Sequence, residues 1–167
     1  FEVLSVNQAR ADLLDRSEPI GTIAHEFRDF STYNSMIYDR AEVMYGQLRD
    51  VLGDSAFVGF LRDYYARWAL RHVDERAMRA SAERVSGREL DWFFEQWVHR
   101  AGVTDYRLKR VRTRRDPAGN WITEATVERA GDYAHPMNVG VLTGAGWTIG
   151  RMTRAPYDEE VVRITTA

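Results

Sequence analysis

Apolar positions recur at spacings of three and four along residues 1–103 and alternate with polar ones from there to the end. The first period predicts helices. "SVNQARADLLDRS" reads as a short helix that stops before Glu18-Pro19, because the residue ahead of a proline avoids the helical region. Around "YDRAEVMYGQLRDVLGDSAF", Ile37, Ala41, Met44, Leu48 and Leu52 share one face, and Gly53 closes that helix as a C-cap. Asp54 or Ser55 is placed to cap the next, where Phe57, Phe60, Leu61, Tyr64 and Trp68 form a wide aromatic face. Asp74 opens a third with Met78, Ala82 and Val85 inward. After Ser86-Gly87, "RELDWFFEQWVHRAG" carries Leu90, Phe93, Phe94, Trp97 and Val98 on its apolar side. Short joints between such helices predict an antiparallel helical array.

After Val103 the period drops to two. "WITEATVER" places Trp121, Ala125 and Val127 on one face and Ile122, Glu124 and Glu128 on the other. The preceding "DPAGN" holds a proline and a glycine where a hairpin turn needs them. "MNVGVL", "WTIGRM" and "EEVVRITT" supply further short strands between glycine- and proline-bearing turns. About five strands in this space predict a small β-sandwich-like module. The expected fold class is therefore α+β, with a helical domain over residues 1–103 and a β module over 104–167.

Composition narrows the function classes. At 167 residues, 44% hydrophobic and 29% charged, the chain can bury a core without staples. A formal charge of -2 implies no obligatory nucleic-acid or membrane partner, and the absence of cysteine excludes disulfides, thiolate metal sites and cysteine nucleophiles. No apolar run approaches the ~20 residues of a membrane helix. The amino-terminal stretch lacks both an initiator methionine and a signal pattern, so Phe1 is expected not to be the natural start.

Chemistry-bearing residues are sparse. "HEFRD" (residues 25–29) has the opening of a zinc-peptidase helix, but such a helix needs a second histidine where Asp29 stands. The reading preferred here is a solvated helix or loop. His72, His99 and His135 are scattered without ligand spacing and are expected at surfaces or interfaces. No serine sits in a nucleophile elbow and no glycine-rich loop matches a phosphate cradle. "RLKRVRTRR" holds six basic residues in nine. It reads as a solvated strand edge rather than a nucleic-acid groove, because a stacking platform needs interleaved aromatics. It can also face acidic residues on a neighbouring domain. The clusters "DYYARW" and "DWFFEQW" read as core. Tyr38 lies beside the apolar stripe near an expected helix start, where the dipole favours developing negative charge. A neutral phenol there is a donor suited to an oxyanion. On composition alone the preferred reading is a core or surface aromatic, and spacing does not settle the choice.

Two stretches carry a resemblance. "IYDRAEVMYGQLRDVLGDSAFVGFLRDYYARW" resembles the helix pair after the zinc site in the M1 aminopeptidase family of gluzincin metallopeptidases. "ERVSGRELDWFFEQWVHRAGV" resembles that family's later helix with its paired phenylalanines and tryptophan, in the same order and separation. Together they span residues 17–104. Arg40 and Ala41 stand where the family has lysine and glycine: arginine keeps the charge and alanine adds a methyl group.

The resemblance implies the C-terminal part of a thermolysin-like catalytic domain in a zinc aminopeptidase acting on peptide substrates. The family's zinc motif and its further glutamate lie upstream of this region. Zinc would then belong to the complete protein, with ligands in a missing N-terminal catalytic lobe, and this chain alone would bind none and be inactive. By position, the family's oxyanion-donating tyrosine is Tyr38. The alternative is a non-catalytic scaffold or protein-interaction module of the same family.

Overall fold

The computed structural model describes residues 2–152 and 158–167. It divides into two compact units, Phe1–Gly102 and Val103–Ala167. Helices fill the first and antiparallel strands the second, the α+β arrangement that the change of period predicts.

In the helical unit α1 covers Glu2–Leu13. A turn-rich connection leads to Asp29, whose carboxylate accepts from the Thr32 N–H at 2.7 Å and caps α2, Phe30–Asn34. The chain does not leave the helix there. It passes through a π-helical turn, Ser35–Arg40, straight into α3, Ala41–Leu52. The helix expected to open near Tyr38 thus begins about two turns earlier. Met36, Arg40, Met44, Leu48 and Leu52 are buried along this run, at a constant spacing of four. On a straight α-helix such a stripe drifts by about 40° per step. The wider π turn between Met36 and Arg40 takes some of that drift back.

Gly53 ends α3 at φ 81°. Next, α4 spans Asp54–Trp68, and neither Asp54 nor Ser55 caps it. Asp54 is already helical, and its carboxylate takes Arg49 at 2.7 Å instead. The aromatic face expected of α4 is only partly covered, with Phe60 buried but Leu61 41% exposed. The reason is the line along which α4 meets α5, Glu75–Ser86. A Cβ on Gly59 would come within 3.0 Å of Val85, and Asp63 holds Arg84 at 2.5 Å. A small residue and an acid face α5, so the aromatic stripe lies to one side. Within α5, capped by Asp74 through the Ala77 N–H, Ser81 is buried and Val85, expected inward, is not. The final helix, α6, spans Asp91–Val98; Leu90, Phe93, Phe94, Trp97 and Val98 are all buried as expected.

The second unit holds β1 (Tyr106–Arg115), β2 (Trp121–Arg129), β3 (Met137–Thr143), β4 (Gly146–Met152) and β5 (Glu159–Thr166). One sheet has the order β1-β2-β5, and β3 and β4 form a second. Gly119, at φ 89°, supplies the left-handed residue of the turn between β1 and β2. The proline-bearing turn expected before β5 falls at residues 153–157, outside those described. Val127, Met152, Val162 and Ile164 form the core between the sheets, flanked by Met137, Val139 and Val141. Gly150 keeps them close: a Cβ there would lie 2.8 Å from Val162 and from Ile164.

Candidate functional site

Tyr38 lies inside the π-helical turn. Met36 and Arg40, two residues to either side, are 0% and 1% exposed, whereas Tyr38 is 62% exposed. Its ring therefore projects away from the core. Among the described residues its hydroxyl has no hydrogen-bond partner, which leaves the phenol proton available to a ligand. The helix dipole does not reach Tyr38, because the helix begins after Asp29 and a terminus acts only over its first turn. Tyr38 sits instead in the π turn, a distortion that occurs mostly as single turns inside α-helices and frequently at functional sites. Tyr45, further along the same helix, differs: its hydroxyl meets the Met78 sulfur at 3.1 Å, and burial pushes its phenol pKa up.

Arg40 was expected to carry the family lysine's charge, and the fold uses it internally. Its guanidinium donates to the carbonyls of Gly102 at 3.3 Å and Arg100 at 3.5 Å. It also lies 3.7 Å from the Asp12 carboxylate and 5.4 Å from the centre of the Trp97 ring. One side chain thereby joins α1, the π turn and the chain beyond α6. The spacing-of-four stripe, in which an arginine takes an apolar residue's place, is the sequence signal for it.

A cavity of about 310 Å³ opens between α1 and the start of the long helix, lined in part by Asn7, Arg10, Ser31, Asn34, Ser35 and Asp39. Ser35 Oγ donates to Asp39 at 3.2 Å. Asp39 adjoins Tyr38 in the chain, but Tyr38 itself does not line the cavity.

The His25–Asp29 pair does not form a metal site. His25 lies exposed in a turn. The Asp29 carboxylate is committed to the Thr32 N–H and to Arg16 at 2.7 Å. The Thr32 N–H, reinforced by Arg16, holds its pKa below the usual carboxylate range. Among the described residues no group of three or more His, Asp or Glu side chains could hold a metal ion. His72 and His99 are exposed as expected, with His99 3.6 Å from Glu75. His135, expected at a surface or interface, is 4% exposed. The loop after β2 folds over Tyr106, whose hydroxyl accepts the His135 N–H at 2.6 Å and draws that residue inward.

Among the described residues no helix is long and apolar enough to cross a membrane. A family model described as the peptidase family M1 domain matches residues 3–97. No curated protein matches the chain. The matched span includes the π turn, Tyr38, Arg40 and nearly all of α6.

Proposed function

The chain belongs to peptidase family M1, and from that membership we propose that it is the C-terminal part of a zinc aminopeptidase that removes N-terminal residues from peptides. Family M1 is a metallopeptidase family, which supports hydrolysis of peptides as the reaction class. Zinc and the general base belong, on this reading, to an N-terminal lobe outside these residues. The residues of this chain take up the other side of the reaction.

Tyr38 is the observation that carries the proposal: an exposed phenol with no hydrogen-bond partner among the described residues, in a π turn, inside the family match. Attack of water on the scissile carbonyl places negative charge on its oxygen. A neutral phenol that donates to that oxygen stabilises the tetrahedral state more than the ground state, which accelerates the step. Arg40 does not take part, because its guanidinium is enclosed beneath Trp97.

The experiment is Tyr38→Phe in the complete protein, assayed with an aminoacyl chromogenic substrate. Loss of one oxyanion donor lowers turnover by about 10²-fold, with KM little changed. Turnover near that of the parent would return Tyr38 to a surface aromatic. The isolated 167-residue chain is expected to be inactive; one tightly held zinc per chain with turnover would overturn that part of the reading.

A further inference from the structure

Strand β1 stands at one edge of its sheet, and residues 107–115 are exposed on both faces. One residue is out of register between Leu108 and Arg110, a bulge that sets the beginning of the strand apart from the six residues after it. Along those six, Arg110, Arg112 and Arg114 lie opposite Thr126, Glu124 and Ile122 on the outer face. Alternate positions on a strand are about 6.7 Å apart, so the three form a regular row. Arg107 is paired with Glu128, and Lys109 with Glu159. Glu124, the one acid opposite the row, is taken by Arg163 at 2.8 Å. Among the described residues Arg110, Arg112 and Arg114 have no acidic partner.

The other face of the strand carries Leu108, Val111, Thr113 and Arg115, and its two apolar side chains are uncovered. Leu108 and Val111 are 60% and 50% exposed, although they lie opposite the buried residues Val127 and Ala125. Beyond them the main chain of β1 presents the alternating N–H and C=O groups of any sheet edge.

We propose that the edge of β1 over residues 110–115 receives an extended acidic strand from a partner polypeptide. The added strand continues the sheet through main-chain hydrogen bonds. Its carboxylates alternate on the outer face against Arg110, Arg112 and Arg114, and apolar side chains on its inner face extend the surface begun by Leu108 and Val111. A second copy of this chain does not fit through β1 itself, because pairing β1 with β1 would set arginine beside arginine. A nucleic acid would leave both the main-chain edge and the apolar face unused. The ring nearest the row, Trp121, is already stacked by Arg115 at 4.5 Å and offers no free platform.

The test uses the 167-residue chain and a fluorescent peptide with glutamate at alternate positions and valine or threonine between. Three probes compete: a peptide of the same composition with its glutamates in one block, a single-stranded DNA of equal charge, and the alternating peptide N-methylated on one edge. The alternating peptide is expected to bind most tightly and to protect the amides of residues 110–115 from hydrogen exchange. The triple variant Arg110→Glu, Arg112→Glu, Arg114→Glu is expected to bind about tenfold or more weakly, with unchanged circular dichroism. If that variant fails to fold, the N-methylated peptide decides, since its loss of binding to the parent chain reports main-chain pairing directly. Equal binding of the blocked peptide or of DNA, binding without amide protection, or no binding at all would each overturn the proposal.

Discussion

The guanidinium of Arg40 lies against the indole of Trp97, 5.4 Å from the ring centre, while its nitrogens reach the carbonyls of Arg100 and Gly102. This places a positive charge where the chain leaves α6, and the contact replaces an apolar one in the buried stripe. Removing it strands the Asp12 carboxylate, only 13% exposed, without its cation. Arg40→Ala is therefore expected to destabilise the helical unit by about 3 kcal/mol or more. Arg40→Lys keeps the charge but loses the planar fork, and a loss of about 1–2 kcal/mol is expected. Urea unfolding followed by the helical circular dichroism signal checks both. A change under about 0.5 kcal/mol for Arg40→Ala would mean that the enclosed charge contributes nothing net.

Gly150 allows the two sheets of the β unit to approach. Its added Cβ would sit 2.8 Å from Val162 and Ile164, whereas one on Gly144 would meet nothing within 4 Å. Gly150→Ala is expected to cost about 1–3 kcal/mol through overpacking, and Gly144→Ala to be near neutral. Equal melting temperatures for the two variants would contradict this account of the sheet packing.

The link between α4 and α5 is expected to weaken in acid. Hydrogen bonds from Arg84 and then Arg67 hold the Asp63 carboxyl well below the usual carboxylate range. A folded pKa depressed below the unfolded value gives stability that is fully present above the unfolded value, near 3.8, and is lost as pH falls through the folded one. Asp63→Asn should lower the melting temperature at pH 7 and bring it closer to the parent's in strong acid. A difference between the two that stays constant from neutral pH downward would rule this out.

Tyr38→Phe should leave the fold intact. The ring is exposed and its hydroxyl has no partner among the described residues. Its effect on unfolding free energy is expected within about 0.5 kcal/mol. A larger loss, measured by urea unfolding, would assign the hydroxyl a structural bond.

Much of this architecture was legible in the periods. The stripe of α6 was read residue for residue, because a short helix buried on most of its surface leaves little choice of face. The strands followed from alternation and from turns such as Asp116–Asn120. The centre of the long helix is not legible, since hydrophobic periodicity marks only apolar positions as buried. Arg40 breaks the apolar stripe, and the expected helix start falls too late. The aromatics of α4 misled for another reason: Gly59 and Asp63 set the line of contact with α5, and neither is hydrophobic. Of the candidate site, the position of Tyr38 came from resemblance. Its exposure and its π turn depend on hydrogen bonding five residues apart, which no local propensity encodes.

The π turn also constrains how this sequence can vary. Ser35–Arg40 lies between two anchored ends, Asp29 held by Arg16 and Gly53 at its left-handed stop. Deleting one residue inside it would let the ladder close as α-helix throughout, and because a π turn holds about one residue more than an α turn, the capped end would keep nearly its present orientation relative to α3. Inserting a residue would instead turn that end by about 100° and swing Met36 out of the core. This segment should therefore tolerate the loss of one residue far better than the gain of one.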